Sequence, residues 1–144
     1  MFRPSFSNGA AFADLDNDGD LDYVVNNIND AAFLYENTLY AGGEKKSENN
    51  FLRIKLIGEQ KNKSGLGTIV TLKYDGKTQY HDHSIYRGYL STVEDVIHFG
   101  IGTSQTVDTL TVVWPDGNSQ ILSNVNANQV LELDRTESRK SIEQ

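Results

Sequence analysis

The sequence predicts an all-β protein, and three observations indicate this fold class. Apolar and polar residues alternate in short runs, as in residues 51–57, where every second side chain is apolar. Turn signals separate the runs, among them Asp75-Gly76, which is typical of a two-residue β-hairpin. Before residue 134 no segment shows the period of an amphipathic helix. Short strands at even spacing favour an antiparallel β-sandwich or barrel-like domain.

The strands and their turns follow in order along the chain. Asp75-Gly76 should join two strands in a hairpin, and the run from Trp114 to Gly117 places proline and glycine where a type I turn favours them. The second turn should fold residues 110–114 back onto residues 120–122. We predict strands at residues 10–14, 21–26, 32–36, 51–57, 67–74, 78–85, 93–99, 107–114, 119–122 and 129–133.

Residues 14–22 contain the most informative pattern. Five carboxylates fall within these nine residues with no lysine or arginine among them, so their like charges repel one another in any compact conformation. A bound cation would remove that repulsion. The candidate metal ligands are Asp14, Asp16, Asp18, Asp20 and Asp22.

The spacing of these residues indicates calcium. Carboxylates at positions 1, 3, 5 and 9 with Gly19 at position 6 match the first part of a calcium loop, in which position 7, Asp20, offers its backbone carbonyl. An EF-hand has a bidentate glutamate at position 12, whereas this chain has Val25, and the flanking residues predict strands. Oxygen ligands on a flexible loop favour Ca²⁺ over Mg²⁺, and the absence of nearby His or Cys argues against zinc. The alternative is a solvated acidic turn.

Composition excludes several classes of function. Subtracting the five loop carboxylates from the net charge of −7 leaves −2, so the rest of the chain carries no electrostatic footprint for nucleic acid. The absence of cysteine excludes disulfides, Cys-ligated zinc and thiol catalysis. No apolar run is long enough to predict a membrane span, and the first residues do not form a signal peptide.

The first quarter of the chain resembles a known repeat. Residues 8–14, 22–27 and 33–37, around the acidic loop, are similar to one FG-GAP/VCBS-type repeat, a β-propeller-blade unit. The resemblance implies calcium binding by Asp14, Asp16, Asp18, Asp22 and the carbonyl of Asp20. A single blade cannot bury both its faces, so we expect the chain to be a C-terminal fragment of a larger protein.

The second resemblance covers more than half of the chain. Residues 50–58, Asn62 and residues 65–70, 87–91, 98–102 and 112–117 are similar, in order, to an ASPIC/UnbV domain. The arrangement with a preceding FG-GAP/VCBS repeat is seen in cartilage acidic protein and in many secreted bacterial proteins. It implies an extracellular or cell-surface location, without established catalytic chemistry. We predict the repeat at 1–41, a linker at 42–50, the ASPIC/UnbV β-domain at 51–134 and a flexible tail at 135–144.

Histidines are the first candidates for chemistry in the second domain. His81 and His83 should share one face of a strand, with Asp82 on the other, so the two imidazoles offer two metal ligands or the base of a hydrolase. Two polar residues on a solvent face are the alternative interpretation. His98 alternates with apolar residues and is better explained as a hydrogen-bonded structural residue.

Aromatic residues are the other candidates. Exposed rings stack on sugars, and Tyr86, Tyr89 and Trp114 are the candidate ligand-binding residues, with core packing as the alternative for Trp114. The sequence therefore predicts a calcium-binding, non-enzymatic interaction or adhesion module with a protein or glycan partner. A carbohydrate-binding module is the alternative function.

Overall fold

The computed structural model describes residues 4–40 and 47–140, and within these residues the protein is built of β-strands with no α-helix. The prediction of an all-β protein is confirmed. The chain divides into two compact units, one comprising Met1–Ser47 and Ile85–Glu94, the other Glu48–Ser84 and Asp95–Gln144. The strands are β1 Ser7–Ala13, β2 Asp22–Asn27, β3 Phe33–Tyr35, β4 Asn50–Ile57, β5 Ile69–Tyr74, β6 Lys77–Asp82, β7 Ile97–Gly102, β8 Thr106–Val113, β9 Asn118–Asn126, β10 Val130–Asp134 and β11 Arg139–Lys140.

The first unit contains a three-stranded antiparallel sheet in the order β1-β2-β3. Aromatic residues occupy neighbouring positions on all three strands, because Phe12 pairs with Tyr23 and Tyr23 pairs with Tyr35. The rings of Tyr23 and Tyr35 stack with their centroids 6.3 Å apart. The strands predicted at 10–14, 21–26 and 32–36 are therefore present, and they place the acidic loop between β1 and β2.

The second unit contains two sheets. In the smaller sheet β4 lies between β10, to which it is parallel, and β7, to which it is antiparallel. The larger sheet is antiparallel, in the order β11-β9-β8-β5-β6. Both sheets are open, so the barrel-like alternative is wrong. The extra parallel strand arises because β10 returns along the free edge of β4, a long-range pairing that local patterns do not encode.

Both predicted hairpins are confirmed. Tyr74 pairs with Lys77 across Asp75 and Gly76, whose φ angles of 46° and 68° suit the primed turns that match strand twist. At the β8–β9 connection, Gly117 donates its N–H to the carbonyl of Trp114 at 2.9 Å. Leu110 consequently pairs with Leu122.

One hydrophobic core contains side chains from both sheets of the second unit. Its fully buried members include Leu52 and Ile54 from β4, and Val70, Leu72 and Leu110 from the larger sheet. Trp114 belongs to the same core. Because strand side chains alternate between faces, every second residue of β5 from Val70 onward is directed into this core. In β8 the same alternation holds from Leu110 onward.

The strands flanking the Ile85–Glu94 segment differ from the prediction. We predicted strands at 78–85 and 93–99, whereas β6 ends at Asp82 and β7 begins at Ile97. The intervening segment folds with the first unit, and an isolated bridge pairs Tyr86 with Thr92. The apolar residues at both ends of this segment led us to extend the two strands into it. A local pattern does not show which sheet a segment joins.

The predicted linker and tail lie partly outside the described residues. Residues 42–46 of the linker are outside them, and Asn50 already belongs to β4. In the predicted tail, Arg135–Glu137 form a 3-10 helix capped by the Asp134 side chain, and β11 pairs with β9. Residues 141–144 lie outside the described part of the chain.

A glycine substitution tests the packing of the second unit. Gly65 has a φ of +63°, and a Cβ there would lie 3.1 Å from Trp114 Cζ3 and 3.2 Å from Leu56 Cβ. Gly65→Ala should therefore lower the free energy of unfolding by about 2–4 kcal/mol through backbone strain and overpacking. Urea unfolding measures the change.

Gly76→Ala is the matched control for Gly65→Ala. Gly76 has a similar φ of +68°, but a Cβ there meets nothing within 4 Å. Its alanine variant should lose only about 1 kcal/mol, which is the conformational part of the effect. Equal losses in the two variants would show that the packing around Trp114 is not tight.

Candidate metal centre

The acidic loop is shaped by hydrogen bonds from its own backbone. Asp14 accepts the N–H of Asp18 at 3.0 Å on one carboxylate oxygen and the N–H of Gly19 at 3.1 Å on the other. Asn17 and Gly19 have φ angles of 61° and 100°, so the chain turns sharply between them. Asn tolerates the left-handed region and Gly adopts it without strain, which explains why these residue types occur there.

This turn brings three of the five predicted ligands together. One oxygen from each of Asp14, Asp16 and Asp18 lies within 4.8 Å of the other two. Asp14 is buried, Asp18 is half-buried and Asp16 is exposed. The cluster is therefore closed on the Asp14 side and open to solvent on the Asp16 side, so a cation could enter it from solvent.

Asp20 is directed toward a different part of the chain. Its side chain is 5% exposed and accepts the backbone N–H of Tyr40 at 3.0 Å. Burial raises the pKa of the Asp20 carboxyl, and the nearby charges of Asp18 and Asp22 raise it further, against the lowering effect of the Tyr40 hydrogen bond. The position of its carbonyl as a metal ligand stays a prediction.

Asp22 joins the two ends of the loop to the segment after β3. Its carboxylate accepts the N–H of Leu15 at 3.1 Å and the N–H of Asn37 at 2.9 Å. The Asn37 side chain donates to the carbonyl of Leu21 at 3.4 Å. Asp20 and Asp22 thus bind backbone donors of residues 37–40, a role that the sequence analysis did not predict.

Two carboxylate oxygens in the loop are buried without a hydrogen-bond partner among the described residues. They are Asp18 Oδ2 and Asp20 Oδ1. A buried acceptor that lacks a partner costs free energy, more so when it is ionised. These orphaned oxygens and the Asp14, Asp16 and Asp18 cluster fit a cation with oxygen ligands.

A remote residue also contacts this loop. Glu94 accepts the backbone N–H of Asp14 on Oε2 at 3.4 Å, although the two residues are 80 positions apart. The sequence analysis did not single out Glu94, because no local pattern links it to the loop.

The comparison with protein families matches a stretch of the chain that begins after the acidic loop. A model of the ASPIC and UnbV family matches residues 58–140, which is more than half of the 144 residues. The chain belongs to the ASPIC and UnbV family. This confirms the second of the two predicted resemblances. A comparison with curated proteins found no match.

The histidine pair of the ASPIC and UnbV region is a packed cluster. His83 is buried, and its Nε2 lies 3.0 Å from Asp95 Oδ1. The His81 ring lies 6.1 Å from that of His83 and packs edge-on against Phe99 at 6.0 Å. The interpretation of both histidines as solvent-facing is wrong for His83, because the backbone stays paired beyond β6: His83 donates its N–H to the carbonyl of the buried Thr68 at 2.9 Å. Asp82 is exposed.

His98 and Trp114 are structural residues of the ASPIC and UnbV domain. The His98 ring stacks on Phe51 with centroids 5.7 Å apart, in keeping with the predicted structural role. Trp114 is 2% exposed, so the prediction that it could present a ring to a ligand is wrong. Core packing, the alternative interpretation of Trp114, is confirmed, since Leu56 and Gly65 pack around this corner of the core.

Tyr86 and Tyr89 are the exposed candidates. Their side chains are 66% and 64% exposed, and both belong to the Ile85–Glu94 segment that folds with the first unit. Leu90 beside them is 89% exposed and has a φ of 47°, which is uncommon for a leucine. Three large side chains therefore project from one tight loop.

A cavity of about 110 Å³ lies beside the Trp114 turn, lined by Glu59, Trp114, Asp116 and Arg135 among others. Arg135 donates from Nε to Asp116 Oδ2 at 2.9 Å and also contacts that oxygen through Nη2. The hydrogen bonds from Arg135 lower the pKa of Asp116 to about 2. Arg135 also lies 3.7 Å from the Glu59 carboxylate, so the charged groups around this cavity pair with one another. Within residues 4–40 and 47–140, no helix has the length and hydrophobicity to cross a membrane.

The Arg135–Asp116 pair predicts an acid-dependent loss of stability. Because the folded-state pKa of Asp116 is below the ordinary aspartate value of 3.8, its contribution is complete above about pH 4 and is lost as the pH falls toward 2. Asp116→Asn should lower Tm at pH 6, and its difference from the wild type should disappear near pH 2. Thermal melts across this range measure it.

Asp82→Asn is the control for the acid melts, because Asp82 is also exposed and close to a hairpin strand end. Its Tm should equal that of the wild type at pH 6. A difference between Asp116→Asn and the wild type that persists at pH 2 would contradict the assignment to the ionised pair.

Proposed function

We propose that this chain is a calcium-binding, non-enzymatic interaction module of a secreted or cell-surface protein. In this proposal residues 8–37 form an FG-GAP/VCBS-type repeat whose acidic loop holds Ca²⁺. The observation that carries the proposal is the convergence of Asp14, Asp16 and Asp18, with one oxygen from each within 4.8 Å of the others. The three-stranded meander on either side of the loop supports the assignment as a blade-type unit.

The distances suit a calcium ion. Ca²⁺ binds oxygen ligands at roughly 2.4 Å, so two oxygens that share one ion cannot lie much more than about 4.8 Å apart. The three carboxylates satisfy this limit. The loop contains neither histidine nor cysteine, the residues that would favour zinc. Asp18 Oδ2 is buried without a partner among the described residues and offers a further oxygen.

Asp14, Asp16 and Asp18 would hold the ion directly. Asp20 and Asp22 would act around it, since their carboxylates bind the N–H groups of Tyr40, Leu15 and Asn37. Neutralising the cluster would remove the repulsion between close carboxylates and the penalty for burying Asp20 as an anion. The calcium would thereby stabilise the β1–β2 hairpin and the segment 37–40 together.

The histidine pair supports the proposal that the chain is not an enzyme. His83 is buried against Asp95, and the half-buried His81 packs on Phe99, which favours a packing role for these rings over the hydrolase hypothesis for His81, Asp82 and His83. An extracellular location is proposed because loops of this kind in extracellular modules bind calcium at about 0.1–1 mM, a concentration available outside cells.

Calcium-dependent stabilisation tests this proposal. The full chain should gain about 2.7 kcal/mol in the free energy of unfolding of its first unit at about a hundredfold excess of calcium over Kd. Asp14→Asn and Asp18→Asn should each abolish most of that gain, because each removes a converging charge. Thermal melts in EDTA and in millimolar Ca²⁺, with isothermal titration calorimetry, measure the effect.

Asp108→Asn is the matched control for the calcium melts, since Asp108 is an exposed aspartate on β8 of the other unit. Its calcium response should equal that of the wild type. Absence of any heat or Tm shift in the wild type would overturn the calcium assignment, and an equal response in Asp14→Asn would move the site elsewhere.

A glycan is the second candidate partner, and the exposed pair Tyr86 and Tyr89 favours it. Tyrosine rings stack on the apolar faces of sugars, and rings held in a tight loop lose little conformational entropy on binding. Arg87 lies between them in sequence. Its Nη1 donates to the Tyr86 carbonyl at 2.9 Å, which restrains the backbone of the loop. Trp114 is not part of this candidate site because it is buried.

Affinity electrophoresis through gels that contain defined polysaccharides tests the glycan candidate. The double variant Tyr86→Ala with Tyr89→Ala should fold normally and lose retardation by any polysaccharide that retards the wild type, because both stacking surfaces are removed. Tyr80→Ala is the control, since Tyr80 is 63% exposed on β6. Equal retardation of the double variant and the wild type would exclude these rings as the platform.

A further inference from the structure

The Ile85–Glu94 segment lies within the stretch matched by the ASPIC and UnbV family, yet its contacts group it with the first unit. It meets β1 at both ends of that strand. At the far end Glu94 accepts the N–H of Asp14, the first residue of the acidic loop. At the near end it approaches Gly9.

The approach to Gly9 is close. A Cβ on Gly9 would lie 3.0 Å from Ser91 Oγ and 3.2 Å from the Tyr89 carbonyl oxygen. Gly9 has no positive φ, so this position requires glycine for space rather than for backbone freedom. β1 also shows a register shift between Ser7 and Gly9. The close approach and the register shift therefore occur at the same part of β1.

The segment is closed by its own hydrogen bonds. Val93 donates to the Ile85 carbonyl at 2.8 Å, and Arg87 donates to the Ser91 carbonyl at 3.0 Å. Between these bonds Tyr86 and Thr92 form a bridge. A restraint at Glu94 therefore acts on a small connected hairpin that carries the exposed side chains of Tyr86, Tyr89 and Leu90.

Glu94 contacts the residue that organises the acidic loop. The Asp14 carboxylate holds the N–H groups of Asp18 and Gly19, while the Asp14 backbone is held by Glu94. Loss of the Glu94 bond would remove one restraint on the start of the loop and weaken the convergence of Asp14, Asp16 and Asp18. Binding at the loop and order in the segment would then depend on each other, since coupling between two sites is reciprocal.

We infer that Glu94 is a positioning residue for the acidic loop and couples calcium binding there to the conformation of the Ile85–Glu94 hairpin. This inference rests on the proposed calcium function. Its consequence is that calcium orders a loop with two exposed tyrosines, so any partner that binds those rings would bind more tightly in the presence of calcium.

Calorimetric titration of the 144-residue chain with CaCl₂ tests the positioning role. Glu94→Ala should weaken calcium binding by about threefold to fivefold, because one hydrogen bond to the loop is lost. Glu94→Gln should stay close to the wild type, since its amide oxygen still accepts the Asp14 N–H. Glu132→Ala, at an exposed glutamate of the other unit, should have no effect. Equal weakening by the alanine and glutamine variants would overturn positioning in favour of charge alone.

Amide hydrogen exchange tests the coupling from the other side. Calcium should slow exchange of peptides from residues 85–94 in the wild type, and much less so in Glu94→Ala. Gly9→Ala should raise exchange of these peptides and weaken calcium binding, whereas Gly100→Ala, where a Cβ meets nothing within 4 Å, should do neither.

The outcomes distinguish the two proposals. If the wild type binds calcium but its 85–94 peptides exchange equally in EDTA and calcium, the coupling is wrong and the calcium function stands. If calcium binds and Glu94→Ala retains wild-type affinity, the positioning role is wrong. If the wild type does not bind calcium, the calcium function fails and this inference fails with it.

Discussion

Two hydrogen bonds from the backbone to the Asp14 carboxylate set the geometry of the acidic loop. The N–H groups of Asp18 and Gly19 both point at this side chain, so the chain must reverse within five residues. The reversal brings the carboxylates of Asp14, Asp16 and Asp18 close together, although their charges repel. The loop is thus a strained electrostatic arrangement that a divalent cation would relieve, and the calcium proposal depends on this constraint.

The acidic residues divide into two roles that a spacing rule does not separate. Asp14, Asp16 and Asp18 converge, whereas Asp20 and Asp22 bind backbone donors from Leu15, Asn37 and Tyr40. The second group links the loop to the segment after β3. Each of these carboxylates is therefore a structural hydrogen-bond acceptor as well as a charge, so a change in its charge would alter the hydrogen bonds of the backbone around it.

Family membership and function come from different parts of the chain. The ASPIC and UnbV match begins just after β4 and covers the remaining strands of the two-sheet unit, whereas the acidic cluster lies well before the matched residues. A fold hosts many functions, so the function must be argued from a site. The Ile85–Glu94 hairpin belongs to the matched region in sequence and to the first unit by contacts, and it carries the exposed rings. Both proposals, calcium binding and glycan binding, therefore involve residues of this hairpin.

The sequence predicted the elements whose causes are local. Strand positions follow the alternation of side chains, and the Asp75-Gly76 and Trp114-to-Gly117 turns follow from residue preferences at each turn position. The acidic loop was visible for the same reason, since nine consecutive residues carry its whole pattern. The predicted end of β6 and the predicted start of β7 were wrong. The residues between these strands continue an apolar pattern, but most of them fold with the first unit.

The sequence by itself thus determined the all-β class, the hairpins, the resemblance to the ASPIC and UnbV family and the five candidate carboxylates. The tertiary structure alone decided that Trp114 and His83 are buried, that β10 lies parallel to β4, and that Glu94 contacts Asp14. The physical reason is range. Turn and strand preferences act over a few neighbouring residues, whereas burial and contact depend on segments distant in sequence that pack against the residue in question.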